Sequence, residues 1–265
     1  MSRSTRSGVT SCNTHAPAGQ GIAVRKDGRY DGRFGARFFS SSPASAVFPR
    51  VFTRQSFHST KGRQRVTFFE VRHLSRPGLK AISFSLAAGE LVCLSGPSGA
   101  GKTLLLRALA DLDLNQGEVL LEGRPREQYP PTEWRRLVAY LPAESRWWSA
   151  TVGEHFDSRP GELLQRLGFS SAVLDWRVDR LSSGEKQRLA LARLLTREPR
   201  VLLLDEPSAN LDAANARRVE ELVVDYLQGR DAACLWVTHA SDQIERLASR
   251  VLYLADGRLR QELAA

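Results

Sequence analysis

The stretch LVCLSGPSGAGKTLLLRALADL, residues 91–112, decides the fold. Its first five residues are an apolar run that reads as a buried strand, and KTLLLRALADL (102–112) reads as a helix. Between them stands Gly96-Pro97-Ser98-Gly99-Ala100-Gly101-Lys102-Thr103, the pattern G-x-x-x-x-G-K-[ST] in strand-to-helix context. The glycines let backbone N–H groups turn inward onto phosphate oxygens. The helix N-terminus adds a partial positive charge and unpaired donors. Lys102 is placed to reach β- and γ-phosphates as a point charge, and Thr103 to offer its hydroxyl to Mg²⁺. A glycine-rich turn that only packs would leave Lys102 unexplained.

Working outward, short apolar runs alternate with amphipathic helical stretches from Val66 onward. GEVLLEG (117–123), VLLL (201–204), CLWVTH (234–239) and the Asp-Gly hairpin RVLYLADGRLRQ (250–261) read as strands, and RRLVAYLP (135–142) contains another. GEKQRLALARLLTR (184–197), ANARRVEELVVDYLQ (214–228) and SDQIERLAS (241–249) read as helices. Strand–helix alternation with continuously apolar strands predicts an α/β fold whose mostly parallel sheet is covered on both faces. In VLLLDEP (201–207) such a strand delivers two acids to its C-terminal edge, where open α/β sheets bind ligands. Asp205 is expected to hold Mg²⁺ through water and Glu206 to polarise an attacking water. Mg²⁺ prefers few protein ligands plus phosphate oxygens, which suits one hydroxyl and one carboxylate. In LSSGEKQR (181–188), Ser182 and Glu185 have capping-box spacing, and a helix start flanked by Ser182, Ser183 and Gly184 is also an anion site.

The chain has 265 residues and a formal net charge of +9, but the charge is unevenly spread. Residues 1–65 carry 12 Lys+Arg against Asp27 and Asp31, a net +10, whereas residues 66–265 carry −1. The body therefore has no basic excess to imply nucleic acid, and none is expected as a partner. Residues 1–65 read as a disordered basic extension without sustained periodicity. Sequence translated upstream of the true start, a disordered basic arm and an organelle transit peptide all fit them. The chain's one Met is at position 1 and Arg far outnumbers Lys, so an alternative start near Val66 is among these readings. No apolar run approaches the ~18 residues of a membrane span. Cys12, Cys93 and Cys234 are odd in number and too far apart for a metal site or disulfide framework.

The order of these motifs carries a resemblance. Cradle, LSSGEKQ, Asp205-Glu206, Ser208-Ala209-Asn210-Leu211-Asp212 and then His239 after a strand is similar to the ATP-binding-cassette (ABC) ATPases, over about residues 66–262. LSSGEKQ resembles that family's LSGGQ signature. The resemblance implies a P-loop NTPase fold with an antiparallel β part near the N-terminus of the domain and a short helical subdomain at about 144–181. It implies ATP and Mg²⁺ as cofactors, and a head-to-tail homodimer with each ATP between one cradle and the partner's signature. By the same carry-over Ser182 and Gly184 contact the γ-phosphate in trans, and Ser183 lies beside them. Lys102 and Glu206 act in catalysis, His239 is the switch histidine, and Asp212 closes the loop at the dimer interface. The implied role is an ATPase subunit driving separate integral membrane permease subunits, cytoplasmic and peripheral on the inner face of the plasma membrane. The pattern is most similar to small bacterial single-cassette ATPases of the metal, notably iron, export type. A soluble ABC ATPase acting on nucleoprotein or a cofactor-assembly scaffold is the rival reading, favoured by the basic arm; a regulatory ATP-binding pseudo-ATPase is another.

The sequence departs from the family in ways that bear on the site. The family's Mg²⁺-contacting Gln, after a strand like VAYLP, is here Ala143, which cannot ligate; Glu144 next to it can, if the loop shifts by one residue. The signature has Ser183 for a Gly and Glu185 for Gln. The aromatic residue that often stacks on adenine is absent from LSRPGLKAISF, where Arg76 offers a guanidinium plane instead. Trp147 and Trp148 fit either the core or an exposed anchor for a membrane partner. Cys93 and Cys234 read as small buried hydrophobes.

Overall fold

The computed structural model describes residues 67–158 and 160–263. The readings made for residues 1–65 and for a start at Val66 lie outside the described residues.

The continuously apolar strands pair as expected. β3 (Leu91–Ser95), β6 (Val138–Leu141), β7 (Val201–Asp205), β8 (Ala233–Val237) and β9 (Arg250–Ala255) are all parallel, and β10 (Arg258–Leu263) adds an antiparallel edge. The order is β10-β9-β3-β8-β7-β6. Alternation within each strand explains why no strand looks amphipathic. Val92, Leu94, Leu203, Leu235 and Val237 enter one core, while Leu91, Cys93, Leu202, Leu204, Cys234 and Trp236 enter another on the opposite face. Period-two geometry sends neighbours to opposite faces, and here both faces are dry.

The first core is closed by helix α1 (Lys102–Leu109) and an antiparallel sheet. That sheet is built from β1 (Phe69–Arg76), β2 (Leu79–Leu86), β4 (Gln116–Leu121) and the short β5 (Arg124–Pro125), in the order β2-β1-β4-β5. Helix α2 (Pro131–Leu137) begins with Pro at N1, where its missing N–H costs nothing. It buries Trp134, whose indole N–H donates to the Leu109 carbonyl at 3.0 Å. Burying one large side chain of this kind contributes about 2–3 kcal/mol.

The second core is covered by α4 (Ser183–Leu195) and α5 (Ala213–Arg230), with α3 (Gly161–Arg166) packed beside them. Residues 144–181 hold α3 and short 3₁₀ turns at Gly153–His155, Ser171–Asp175 and Val178–Arg180. Cys93 and Cys234 are both fully buried, and desolvation pushes the Cys93 thiol up to about 12. Among the described residues no helix is long and apolar enough to cross a membrane.

Candidate active site

The cradle joins the end of β3 to the start of α1. Gly96, Gly99 and Gly101 all have positive φ, at 143°, 78° and 99°. A side chain at Gly96 would run into backbone, and one at Gly101 would carry the strain of positive φ and displace a leucine side chain. A Cβ on Gly96 would lie 2.0 Å from the Leu254 carbonyl oxygen, and one on Gly101 would lie 2.8 Å from Leu79 Cδ2. Gly101 is also the N-cap of α1, so no side chain caps that helix. By contrast α4 is capped by Ser182 and α5 by Asp212. The first-turn donors of α1 are thus left for an anion. Lys102 is buried, and its ammonium donates to the carbonyls of Gly96 at 2.8 Å and Pro97 at 2.9 Å. Desolvation lowers its pKa, opposed by the negative charges of Glu206 and Asp205.

Thr103 donates its hydroxyl to Asp205 Oδ2 at 2.8 Å, which joins the cradle to the end of β7. Asp205 is buried and also accepts from Tyr140 Oη at 3.1 Å. This hydroxyl-plus-carboxylate pair fits the hard, oxygen-loving Mg²⁺, whose remaining positions would fall to phosphate oxygens and water. Among the described residues no group of three or more His, Cys, Asp and Glu side chains could hold a metal by itself.

Glu206 follows at once, with φ of 48°. A non-glycine residue in this left-handed region is held there by its surroundings at a cost of about 1–3 kcal/mol. Its N–H donates to the Val237 carbonyl at 3.2 Å, and its own carbonyl accepts from Ala209. The kink turns the carboxylate toward His239, whose Nε2 lies 3.2 Å from Glu206 Oε1. His239 reaches this place because β8 is inserted between β3 and β7. Thr238 N–H donates to the Leu94 carbonyl, so the chain leaving β8 crosses toward the cradle strand. A cavity of about 370 Å³ opens beside the pair, lined among others by Ser208, Arg217, Thr238 and Gln243.

The signature residues form a second cluster. Ser182 Oγ accepts from the Glu185 N–H at 3.2 Å and Glu185 Oε2 accepts from the Ser182 N–H at 2.9 Å, a complete capping box. Ser183 is exposed at the first position of α4. Gly184 faces the loop ahead of α5, where an added Cβ would lie 3.0 Å from Leu211 Cδ2 and 3.1 Å from the Asn210 carbonyl oxygen. Asp212 caps α5 by accepting from the Asn215 N–H at 2.8 Å, and this bond lowers its pKa. Among the described residues no hydrogen bond joins this cluster to Lys102, Asp205 or Glu206.

Glu144 is exposed, and among the described residues it makes neither a hydrogen bond nor an ion pair. Arg76 is not left free to lie over a base: its Nη1 donates to Asp113 Oδ2 at 2.6 Å, and Arg107 clamps the same carboxylate. Trp147 is half-buried and Trp148 exposed; Arg193 lies over both rings, 4.7 and 4.8 Å from their centroids. The pair therefore divides between the two environments expected of it.

Three polar residues that tie separate elements together were not legible as such. Tyr140 sits in a strand where an aromatic reads as core. Gln187 is buried on α4; its Nε2 donates to the Pro142 carbonyl at 3.0 Å and its Oε1 accepts from Ser145 at 3.1 Å. Gln243, also buried, donates to Ser208 Oγ at 2.9 Å and Glu220 Oε1 at 2.7 Å. For the two glutamines the available signal was a polar residue on an otherwise apolar helix face, which demands a partner.

Residues 79–209 match the ABC transporter family. An aliphatic sulfonates import ATP-binding protein, SsuB 2 of Pseudomonas savastanoi pv. phaseolicola, is 39% identical over 70% of this chain and 68% of its own length. The protein named as probable iron export ATP-binding protein FetA of Escherichia coli K12 is 35% identical over 66% of this chain and 84% of its own. A solved ATP-binding subunit of an ABC transporter superposes with a TM-score of 0.68 at 25% identity, covering 74% of this chain and 90% of that one. The cradle, the paired acids at the end of β7, the capped signature helix and the histidine after β8 thus occur together in a chain that belongs to the ABC transporter family of ATP-binding proteins.

Proposed function

We propose that this chain is the ATP-binding and ATP-hydrolysing subunit of an ABC transporter, acting as a homodimer on separate integral membrane permease subunits. The observation that carries this is the convergence of Lys102, Thr103, Asp205, Glu206 and His239 at the C-terminal edge of one parallel sheet. An inert nucleotide binder needs the cradle alone; the kinked Glu206 beside His239 supplies what hydrolysis adds.

In this reading Gly96, Pro97, Ser98, Gly99, Ala100 and Gly101 wrap the phosphates, and Lys102 exchanges its two carbonyl partners for phosphate oxygens. Thr103 and Asp205 hold Mg²⁺, with Glu144 as a further ligand when its loop turns inward. Mg²⁺ held there would supply charge stabilisation to the phosphates during hydrolysis. Glu206 accepts the proton of the attacking water as general base, and His239 orients that carboxylate and faces the γ-phosphate. Ser182, Ser183, Gly184 and Asp212 serve the partner subunit's nucleotide, which accords with their forming a cluster of their own. The place of work is the cytoplasmic face of the plasma membrane.

The curated relatives include one named for import and one named for export. Cargo and direction are therefore assigned to the permease. The test is affinity purification of the tagged full chain from membranes. A co-purifying multi-span membrane protein that stimulates the ATPase on reconstitution supports the role. Recovery with ribosomes or a soluble scaffold, and no membrane partner, would favour the soluble-factor reading.

A further inference from the structure

We infer that Tyr140 is a positioning residue for the metal site, holding Asp205 in the orientation that receives the cation. The inference rests on the reading that Thr103 and Asp205 bind Mg²⁺, and it deepens that reading.

The geometry follows from the sheet. Tyr140 lies on β6 in parallel register with Leu203 of β7. Asp205 is two residues beyond Leu203, so strand periodicity puts Tyr140, Leu203 and Asp205 on one face. A tyrosine at this place spans the diagonal, and its Oη donates to Asp205 Oδ2 at 3.1 Å. Thr103, arriving from α1, donates to the same oxygen at 2.8 Å. Oδ2 is therefore held by two donors from two elements. Among the described residues no donor reaches Oδ1, so the pinned carboxylate presents that oxygen to water or metal. Tyr140 is itself fixed, its half-buried ring packing on the core beneath the antiparallel sheet.

The arrangement bears on the departure at Ala143. Three residues beyond Tyr140, a methyl group stands where a metal ligand would be expected. Tyr140 compensates from the strand: it ligates nothing, but it removes rotational freedom from the carboxylate that would hold the cation through water. The loop beyond it is tied in turn to α4 through Gln187 on Pro142 and Ser145. β6 is thereby anchored at the metal carboxylate and at the signature helix.

The test compares wild type, Tyr140→Phe and Asp205→Asn, all as full chains. Mn²⁺ binding to the protein saturated with a non-hydrolysable ATP analogue is followed by electron paramagnetic resonance, and analogue binding is also measured in EDTA. Tyr140→Phe keeps the ring and its packing and removes only the hydroxyl. A hydrogen bond to a carboxylate of this kind corresponds to about a tenfold change in affinity. We expect Mn²⁺ affinity to fall about tenfold in Tyr140→Phe, with metal-free analogue binding within about twofold of wild type. Mn²⁺ affinity that stays within about twofold of wild type overturns the inference, as does an equal fall in metal-free binding, which would mean a merely structural role. If Asp205→Asn leaves Mn²⁺ binding at the wild-type level, the metal reading fails and takes this inference with it.

Discussion

His239 Nε2 stands 3.2 Å from Glu206 Oε1, joining the residue after β7 to the turn after β8. The contact exists because β8 lies between β7 and β3, so that both side chains and the cradle open onto one edge. In the proposed mechanism it separates two tasks: Glu206 acts on water and His239 fixes where that carboxylate points. Glu206→Gln keeps the shape and removes the base. We predict a fall in turnover of about a hundredfold or more, with ATP binding retained and an ATP-bound dimer accumulating by size-exclusion chromatography. A Glu206→Gln protein that turns over normally and stays monomeric with ATP would falsify the catalytic assignment.

Gly96 makes a prediction about folding rather than chemistry. The Cβ of an alanine there would overlap the Leu254 carbonyl oxygen, which belongs to the backbone of β9 and has no rotamer to escape into. The φ of 143° adds strain for any L side chain. Gly96→Ala is expected to cost about 3 kcal/mol or more, lowering Tm by roughly 6–12 °C for a domain of this size. Differential scanning calorimetry measures this; an unchanged Tm would show that β3 and β9 are not so closely apposed.

Asp113 sets an acid limit on stability. Hydrogen bonds from Arg107 first, and Arg76 second, hold its carboxyl well below the ordinary 3.8. As pH falls through the unfolded value, the unfolded chain takes up a proton that the folded one does not. The stabilisation is therefore complete above the unfolded pKa and is lost as pH drops toward the depressed folded one. The stability difference between wild type and Asp113→Asn should be constant from pH 7 to about pH 5 and shrink below about pH 4. Urea unfolding across this range reads it, and a difference independent of pH would contradict the ion-pair account.

How much of this was legible in the sequence depended on whether a motif was local. The cradle, the acids after VLLL and the capping box of α4 are contiguous, and each reads directly because its chemistry lies within a few residues. Helix ends drifted slightly: α1 stops at Leu109 rather than 112, where the chain turns through Asp111 at positive φ. Arg76 could not be placed from sequence, because its partner Asp113 is brought alongside only by the fold. Tyr140 and Gln243 were hidden for the same reason: their partners, Asp205 and Glu220, lie on other elements. Helix α2 had a readable signal in Pro130-Pro131 followed by Thr-Glu-Trp, a proline-initiated helix start.

Glu144 offers a sharper test of the metal shell. Glu144 is exposed and unpaired among the described residues, and the proposed function gives it to the cation as a further ligand. Glu144→Ala should raise the Mg²⁺ concentration for half-maximal turnover by about threefold to tenfold, the loss of one carboxylate ligand among several. Unchanged Mg²⁺ dependence and turnover would mark Glu144 as a solvated loop charge.

The central claim is that this chain turns over ATP through the Lys102 cradle and the paired acids at the end of β7. The most direct measurement is steady-state phosphate release by the purified full chain with Mg²⁺ and ATP, beside Lys102→Ala. Lys102 is buried and among the described residues its ammonium is hydrogen-bonded only to loop carbonyls, so its removal should leave the sheet intact while deleting the charge aimed at the phosphates. The account predicts Mg²⁺-dependent hydrolysis by the wild type and its loss in a folded Lys102→Ala. Equal rates in the two proteins, or no hydrolysis by the wild type alone or with its permease, would contradict it.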